Sequence, residues 1–398
     1  MWLVVRIPSP APNISLICAF RACSVRAAIW KTAFDRFLAI KFSKALKPRS
    51  HDAKPKYSEN GKKSLILRLI LSYQANTKPS AWRCEVEIIY LAGGCFWGIE
   101  KLFGSIEGVV STCVGYGNGF VPNPTYQQVC DGDSGHAEIV RVEYDSAKIS
   151  LASILEWYYM AIDPLSVDKQ GSDEGRQYRT GIYFDDAKYG EDAKNSLAGL
   201  EKNLGVKSAI EFGPLECFYE AEEYHQNYLE KYPTGYCHVP FKLIEMAQET
   251  ARYKRLPDGL LEPRVLEVVR RGATEAPFNN EHYDNFKQGI YVDVTTGQPL
   301  FSSQDKFDSG CGWPCFSKPI EPSSVFYRID RSMPSERIEI RSLIGDAHLG
   351  HVFNDGPDDM GGIRYCVNSA ALVFVPSKEM QQAGYGDYAR LFELGLAD

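Results

Sequence analysis

A two-domain α+β chain is what the patterning of this sequence predicts, with strands and helices alternating in the first half and mostly strands in the second. Three observations carry the prediction. Between residues 86 and 243, compact apolar runs alternate with amphipathic stretches of helical length, as in a mixed, layered domain. From residue 263 the apolar runs become short and are separated by turn residues, the signature of a mostly β domain extending to about residue 377. Between them, residues 244–262 gather charge and carry the turn signal Pro257-Asp258-Gly259, which marks a linker.

The elements follow in order. Glu87-Ile88-Ile89-Tyr90-Leu91 reads as a buried strand ended by Gly93-Gly94, and residues 97–103 as a helix. Residues 137–144 alternate apolar and polar, as a half-buried strand does. Residues 151–162 and 186–204 read as helices with a strand at 179–184 between them. Beyond the linker come a helix at 264–271, strands at 289–294, 337–342 and 365–375, and a helical tail from 378 to 398.

Composition narrows the function. Of 398 residues, 44% are hydrophobic and 24% charged, ordinary globular material. Residues 1–84 hold 16 Lys and Arg against 3 Asp and Glu, whereas the remainder holds 28 against 48. An acidic body argues against nucleic acid as a partner. No apolar stretch is long enough to span a bilayer; the run at 64–73 is short and interrupted by Arg68. The basic segment 1–85 suits an organellar presequence, a disordered extension or translation from an upstream start, and makes a poor secretory signal. A cytoplasmic location and dispensability of 1–84 for chemistry are the resulting expectations. Eleven cysteines, odd in number and irregularly spaced, do not make a disulfide framework. Cys84, Cys113, Cys130 and Cys217 read as buried, inert small hydrophobes.

Cys95 has more chemical promise. It falls where a strand gives way to a helix, and a helix N-terminus offers unpaired N–H groups and positive potential that favour thiolate. Phe96 and Trp97 can wall an apolar pocket. By itself, Cys95 is equally well read as structural, and Cys366 reads as a core-strand residue.

Five motifs in order change this. Gly94-Cys95-Phe96-Trp97-Gly98, Pro122-Asn123-Pro124-Thr125-Tyr126, Gly132-Asp133-Ser134-Gly135-His136-Ala137-Glu138, Asp173-Glu174-Gly175-Arg176-Gln177-Tyr178-Arg179 and Tyr224-His225-Gln226-Asn227-Tyr228-Leu229 resemble those of A-type methionine sulfoxide reductases. Phe307-Asp308-Ser309-Gly310-Cys311-Gly312-Trp313-Pro314, His348-Leu349-Gly350-His351-Val352-Phe353 and Arg364-Tyr365-Cys366-Val367-Asn368-Ser369 resemble those of the B-type enzymes. The resemblance implies a ferredoxin-like two-layer α/β sandwich followed by a small antiparallel β domain of barrel-like form. It implies reduction of methionine sulfoxide, S epimer first and R epimer second, in proteins and as the free amino acid. No cofactor is implied; the partner is thioredoxin or a similar dithiol donor.

The reaction needs a nucleophile, an acid at the sulfoxide oxygen and a dry pocket for the methyl group. In the first half the resemblance makes Cys95 the nucleophile, Glu138 the acid and Cys237 the resolving thiol. Tyr126 and Tyr178 then bind the oxygen with support from Asp173, and Phe96 and Trp97 hold the methyl. In the second half it makes Cys366 the nucleophile and Cys311 the resolver. Arg364 favours the thiolate, His348 and His351 carry protons, Asn368 orients the oxygen with Asp355 as a weaker candidate, and Trp313 walls the pocket. Cys315 departs from the pattern, standing where serine is usual, and is either a second resolving thiol or an inert substitution.

Many B-type enzymes hold zinc through two Cys-x-x-Cys pairs, whose positions fall at Asp293, Thr296, Ser342 and Gly345. None is cysteine, so a zinc-free domain held by packing is expected. Two alternatives remain: a cysteine acyl transferase using His136 as base, and a metal-binding module with stray thiols.

Overall fold

The structure, a computed structural model, describes Ile70, residues 86–333 and residues 335–393, with Glu393 as backbone only. Expectations for the rest of residues 1–85 lie outside the described residues. The first domain contains β1 (Val86–Gly93), β2 (Val109–Gly117), β3 (Ala137–Asp145), β4 (Lys169–Gln170), β5 (Asp173–Glu174), β6 (Thr180–Phe184), β7 (Glu211–Pro214) and β8 (Phe218–Glu220). Six of these form one sheet, ordered β7-β6-β1-β3-β2-β8 and antiparallel except for β6 with β7. The apolar run foreseen at 87–91 lies at its centre. Ile89 and Leu91 are fully buried with Val140 and Val142 of β3, against Ile99, Leu102 and Phe103 of the helix Phe96–Gly104.

The helix Leu151–Ala161 starts where Ser150 Oγ accepts the Ser153 N–H, the usual N-terminal capping contact. The helix Lys188–Leu204 stops at Gly205, whose φ of 70° is left-handed. β2 was not foreseen, because its sequence mixes Ser111, Thr112 and Cys113 with two glycines and so hides the period of two.

The second domain begins with the helix Pro263–Arg271. It continues through β9 (Gly289–Asp293), β10 (Pro299–Ser302), β11 (Lys306–Phe307), β12 (Cys315–Phe316), β13 (Val325–Asp330), β14 (Arg337–Ser342), β15 (His348–Phe353), β16 (Arg364–Val367) and β17 (Leu372–Pro376). These make two antiparallel sheets, β10-β9-β17 and β11-β12-β16-β15-β14-β13.

Three boundaries differ from expectation. The strand expected at 365–375 is two strands in different sheets. Asn368 forces the break: its Oδ1 accepts the Glu275 N–H at 3.0 Å and its Nδ2 donates to Leu349 O at 3.2 Å. Residues 244–262 are no free linker. They include most of the helix Phe241–Thr250, which buries Ile244 and Ala247 in the first core, while Tyr253 and Leu256 lie in the second. The tail from 378 begins inside the second domain, where Met380 and Tyr385 are buried and Tyr385 OH donates to Gly297 O.

Ile70 is helical and fully buried in that same second core. Phe326 and Leu343 of the second domain join the core of the first. Glu156 faces Arg328 and Asp346 across this contact, and burial pushes its carboxyl up to about 7. Among the described residues, no helix is long and apolar enough to cross a membrane.

Candidate active sites

Cys95 is the residue immediately preceding the helix Phe96–Gly104, at the end of β1. Gly94 makes the turn with φ of 84°, and a Cβ there would stand 2.5 Å from Gln170 Cβ. Glu138 arrives from the neighbouring strand β3, opposite Tyr116 of β2. Its Oε2 accepts the Phe96 N–H at 2.9 Å, which holds the carboxyl over the helix start beside Cys95.

Glu138 is 1% exposed. Burial, opposed by the Phe96 N–H and helped by nearby Asp173, raises its pKa to about 8. A carboxyl that stays protonated near neutrality is a proton donor. Burial and then the Glu138 charge push the Cys95 thiol well above its ordinary range, although the Trp97 N–H favours thiolate. The helix N-terminus therefore does not by itself make Cys95 a thiolate, as position in the sequence suggested.

Tyr126, Tyr178 and Asp173 lie near this carboxyl. Both tyrosine hydroxyls feel the Glu138 charge, Tyr178 also feels that of Cys95, and Asp173 acts on Cys95 and Glu138. Phe96 is buried, and Trp97 stacks on Tyr228 with centroids 3.7 Å apart. Cys237 comes in from a distant loop. A Cβ on Gly98 would stand 3.0 Å from Cys237 Sγ, so the glycine lets that loop lie against the helix that Cys95 begins.

Two supports escaped the sequence reading. Glu222 accepts hydrogen bonds from Tyr116 OH at 2.7 Å and from the Tyr126 N–H at 3.1 Å. His225 Nδ1 accepts the Trp97 indole N–H at 3.1 Å, and its ring lies 4.5 Å from that of Tyr126. His225 did stand within a quoted motif, but nothing in the local pattern tied it to Trp97. His136, the base an acyl transferase would need, has Nε2 bonded to Val121 O at 2.7 Å.

The second site is a row across a sheet. Cys315 of β12, Cys366 of β16, His351 of β15 and Glu339 of β14 are successive cross-strand partners. Cys311, on the loop before β12, has its Sγ 3.8 Å from Cys366 Sγ and 3.3 Å from Cys315 Sγ. Hydrogen bonds from Cys315 and Cys366 pull the Cys311 thiol far down, while the same sharing pushes Cys315 and Cys366 up. Arg364 lies beside Cys315 and Cys366, held by a two-pronged bond to Asp355 at 2.8 Å in each prong. Asp355 thus positions the cation.

Each histidine is paired with a carboxylate that the sequence reading missed. His348 Nδ1 meets Glu339 Oε1 at 2.6 Å, and His351 Nε2 meets Asp330 Oδ2 at 2.7 Å. Such pairing fixes ring orientation and tautomer. Trp313 donates its indole N–H to Glu275 O at 3.0 Å, which anchors the pocket wall. The Asn368 amide is engaged with backbone at its oxygen and at one N–H, leaving one N–H for a ligand.

The three sulfurs of Cys311, Cys315 and Cys366 lie within 4.8 Å of one another, close enough to share a soft metal ion. At the four positions where zinc ligands would stand, the structure places a polar cluster. Asp293 Oδ1 accepts from Thr295 N–H and Oγ1–H at 2.7 and 2.8 Å, Ser342 Oγ accepts the Ala347 N–H, and Arg270 donates to Gly345 O at 2.8 Å. Asp293 and Ser342 are thus hydrogen-bonded each within its own turn, and Gly345 to the helix Pro263–Arg271.

Two thiol centres, each with a second thiol close by, define a thiol-dependent oxidoreductase. The family model described as peptide methionine sulfoxide reductase matches residues 87–256, and the SelR domain model matches residues 261–376. Among solved structures, the chain is similar to reduced Mxr1 from Saccharomyces cerevisiae. Identity is 32% over 40% of this chain and 94% of that one, with a TM-score of 0.38. It is also similar to methionine sulfoxide reductase A of Corynebacterium diphtheriae, at 34% identity over 42% of this chain and 91% of that one, with a TM-score of 0.36. The chain belongs to the peptide methionine sulfoxide reductases, an A-type domain preceding a B-type (SelR) domain.

Proposed function

We propose that the first domain reduces the S epimer of methionine sulfoxide and the second the R epimer, each through a cysteine sulfenic acid and an intramolecular disulfide that a thioredoxin-like dithiol reduces. The observation that carries this reading is the pairing, twice over, of a nucleophile with a resolving thiol: Cys95 with Cys237, and Cys366 with Cys311. The strand order β6-β1-β3-β2, with a helix after β1 and another after β3, supports the ferredoxin-like reading of the first domain. Two antiparallel sheets around one core support the barrel-like reading of the second.

At the first site Glu138 protonates the sulfoxide oxygen and Cys95 thiolate attacks the sulfur. The methyl sits against Phe96 and Trp97, and Tyr126 and Tyr178 hydrogen-bond the oxygen. Methionine leaves, Cys95 carries the sulfenic acid, and Cys237 displaces water to form the disulfide. At the second site Arg364 supports the Cys366 thiolate, and the paired His348 and His351 supply the proton. Asn368 directs its remaining N–H to the oxygen, Trp313 walls the methyl, and Cys311 resolves the sulfenic acid. The dithiol donor attacks each disulfide and restores the thiols. Assays of the full chain with each resolved sulfoxide epimer test this. Cys95→Ser should abolish S-epimer turnover and spare R, and Cys366→Ser the reverse. Loss of both activities in either folded variant would refute the two-site reading.

A further inference from the structure

We propose that Cys315 is a third redox cysteine of the second site, taking over the disulfide from Cys366 so that the nucleophile is free again before any external donor acts. The proposal rests on the second-site reading above. Three features separate Cys315 from an inert small residue. Its sulfur is 3.3 Å from that of Cys311, nearer than Cys366 is. Its surroundings can stabilise a thiolate once it forms: Ser309 Oγ–H donates to it at 3.1 Å, and the cations Arg364 and Lys306 lie near it, although the shared hydrogen bond with Cys311 raises the resting thiol. Accessibility divides the cluster: Cys315 is fully buried, whereas Cys311 is partly exposed.

The exchange balances without another reagent. After resolution, Cys311 and Cys366 are joined and water has left. Cys315 loses its proton and its thiolate attacks Cys311 Sγ. The Cys311–Cys315 bond forms, the Cys311–Cys366 bond breaks, and Cys366 departs as thiolate and takes up that proton. No electrons enter or leave the trio. The three sulfurs now form a triangle, whereas displacement at sulfur needs them in line, so the step includes a rotation of Cys311. That residue sits between Gly310 and Gly312, both at positive φ, on the loop before β12. The oxidised product then presents a donor with a disulfide whose outer sulfur is Cys311, while Cys366 stands reduced in the pocket.

The test counts methionine. The full chain carrying Cys95→Ser is mixed with excess blocked R-epimer sulfoxide and no reductant, then quenched and mapped for disulfides. The relay predicts about two methionines per chain, one before and one after exchange, with Cys311 joined to Cys315. Adding Cys315→Ser should lower the yield to about one, with Cys311 joined to Cys366. A yield of about one from the chain that keeps Cys315, with the Cys311–Cys366 disulfide persisting, would overturn the relay. That measurement decides the matter even if Cys315→Ser fails to fold. No methionine at all from the R epimer would instead refute the underlying assignment of the second site.

Discussion

The two sites do the same chemistry from opposite starting points. In the first, Cys95 stands at a strand-to-helix turn beside one buried carboxyl, Glu138, with Cys237 on a loop more than a hundred residues away in sequence. In the second, Cys366 lies within a strand, flanked by a cation, by two histidine–carboxylate pairs and by Cys311, whose sulfur is 3.8 Å from that of Cys366 and 3.3 Å from that of Cys315. The difference lies in where the proton is kept. A buried lone carboxyl holds its proton by desolvation, whereas a paired imidazole is oriented by a charged partner.

The largest expected effect tests whether the sites are independent. Cys95→Ser should lower S-epimer kcat/KM by about four orders of magnitude or more without changing R-epimer turnover, since the nucleophile is lost at one site only. Cys366→Ser should do the converse.

Next in size, Glu138→Gln should cost about 10²- to 10⁴-fold on the S epimer alone. Its pH dependence has a definite sign. Glu138 titrates at about 8, before the Cys95 thiol, which burial pushes well above its ordinary range. The reactive form, with the proton on Glu138 and none on Cys95, belongs to the singly protonated pair. S-epimer kcat/KM should therefore rise with pH to about 8 and then level until Cys95 also ionises, whereas in the substituted chain the rise should continue through pH 8 until Cys95 ionises. A profile that falls through pH 8 would sink the assignment.

At the second site, Asp330→Asn frees the His351 ring from its charged partner and should cost about tenfold on the R epimer, with S-epimer kinetics serving as the internal control. An equal loss at both sites would point to general damage instead. The smallest effect on catalysis belongs to Ile70→Ala. Truncation in the second core should cost about 2–5 kcal/mol of that domain's stability, read by denaturant unfolding, with first-site turnover unchanged. An unmoved midpoint would mean that the Ile70 contact adds nothing to that domain's stability.

Much of this was legible locally. Strand β1, the helix after Cys95 and strand β14 at Arg337–Ser342 follow from hydrophobic period, and the two reductase domains follow from contiguous motifs. The failures share one cause. Residues 365–375 look continuous because apolarity does not reveal that the Asn368 side chain binds two distant backbone groups. Residues 244–262 look like a linker because their charges mask the few positions, Ile244, Ala247 and Leu256, that enter the two cores.

What the sequence determined alone was the order of two reductase domains, because contiguous motifs carry it. Tertiary structure alone decided the protonation of Glu138, the carboxylate partners of His348 and His351, and the placing of Cys315 against Cys311. Those properties depend on burial and on distances between segments far apart in the chain. Desolvation and short-range sulfur contact act through space, and no local pattern encodes them.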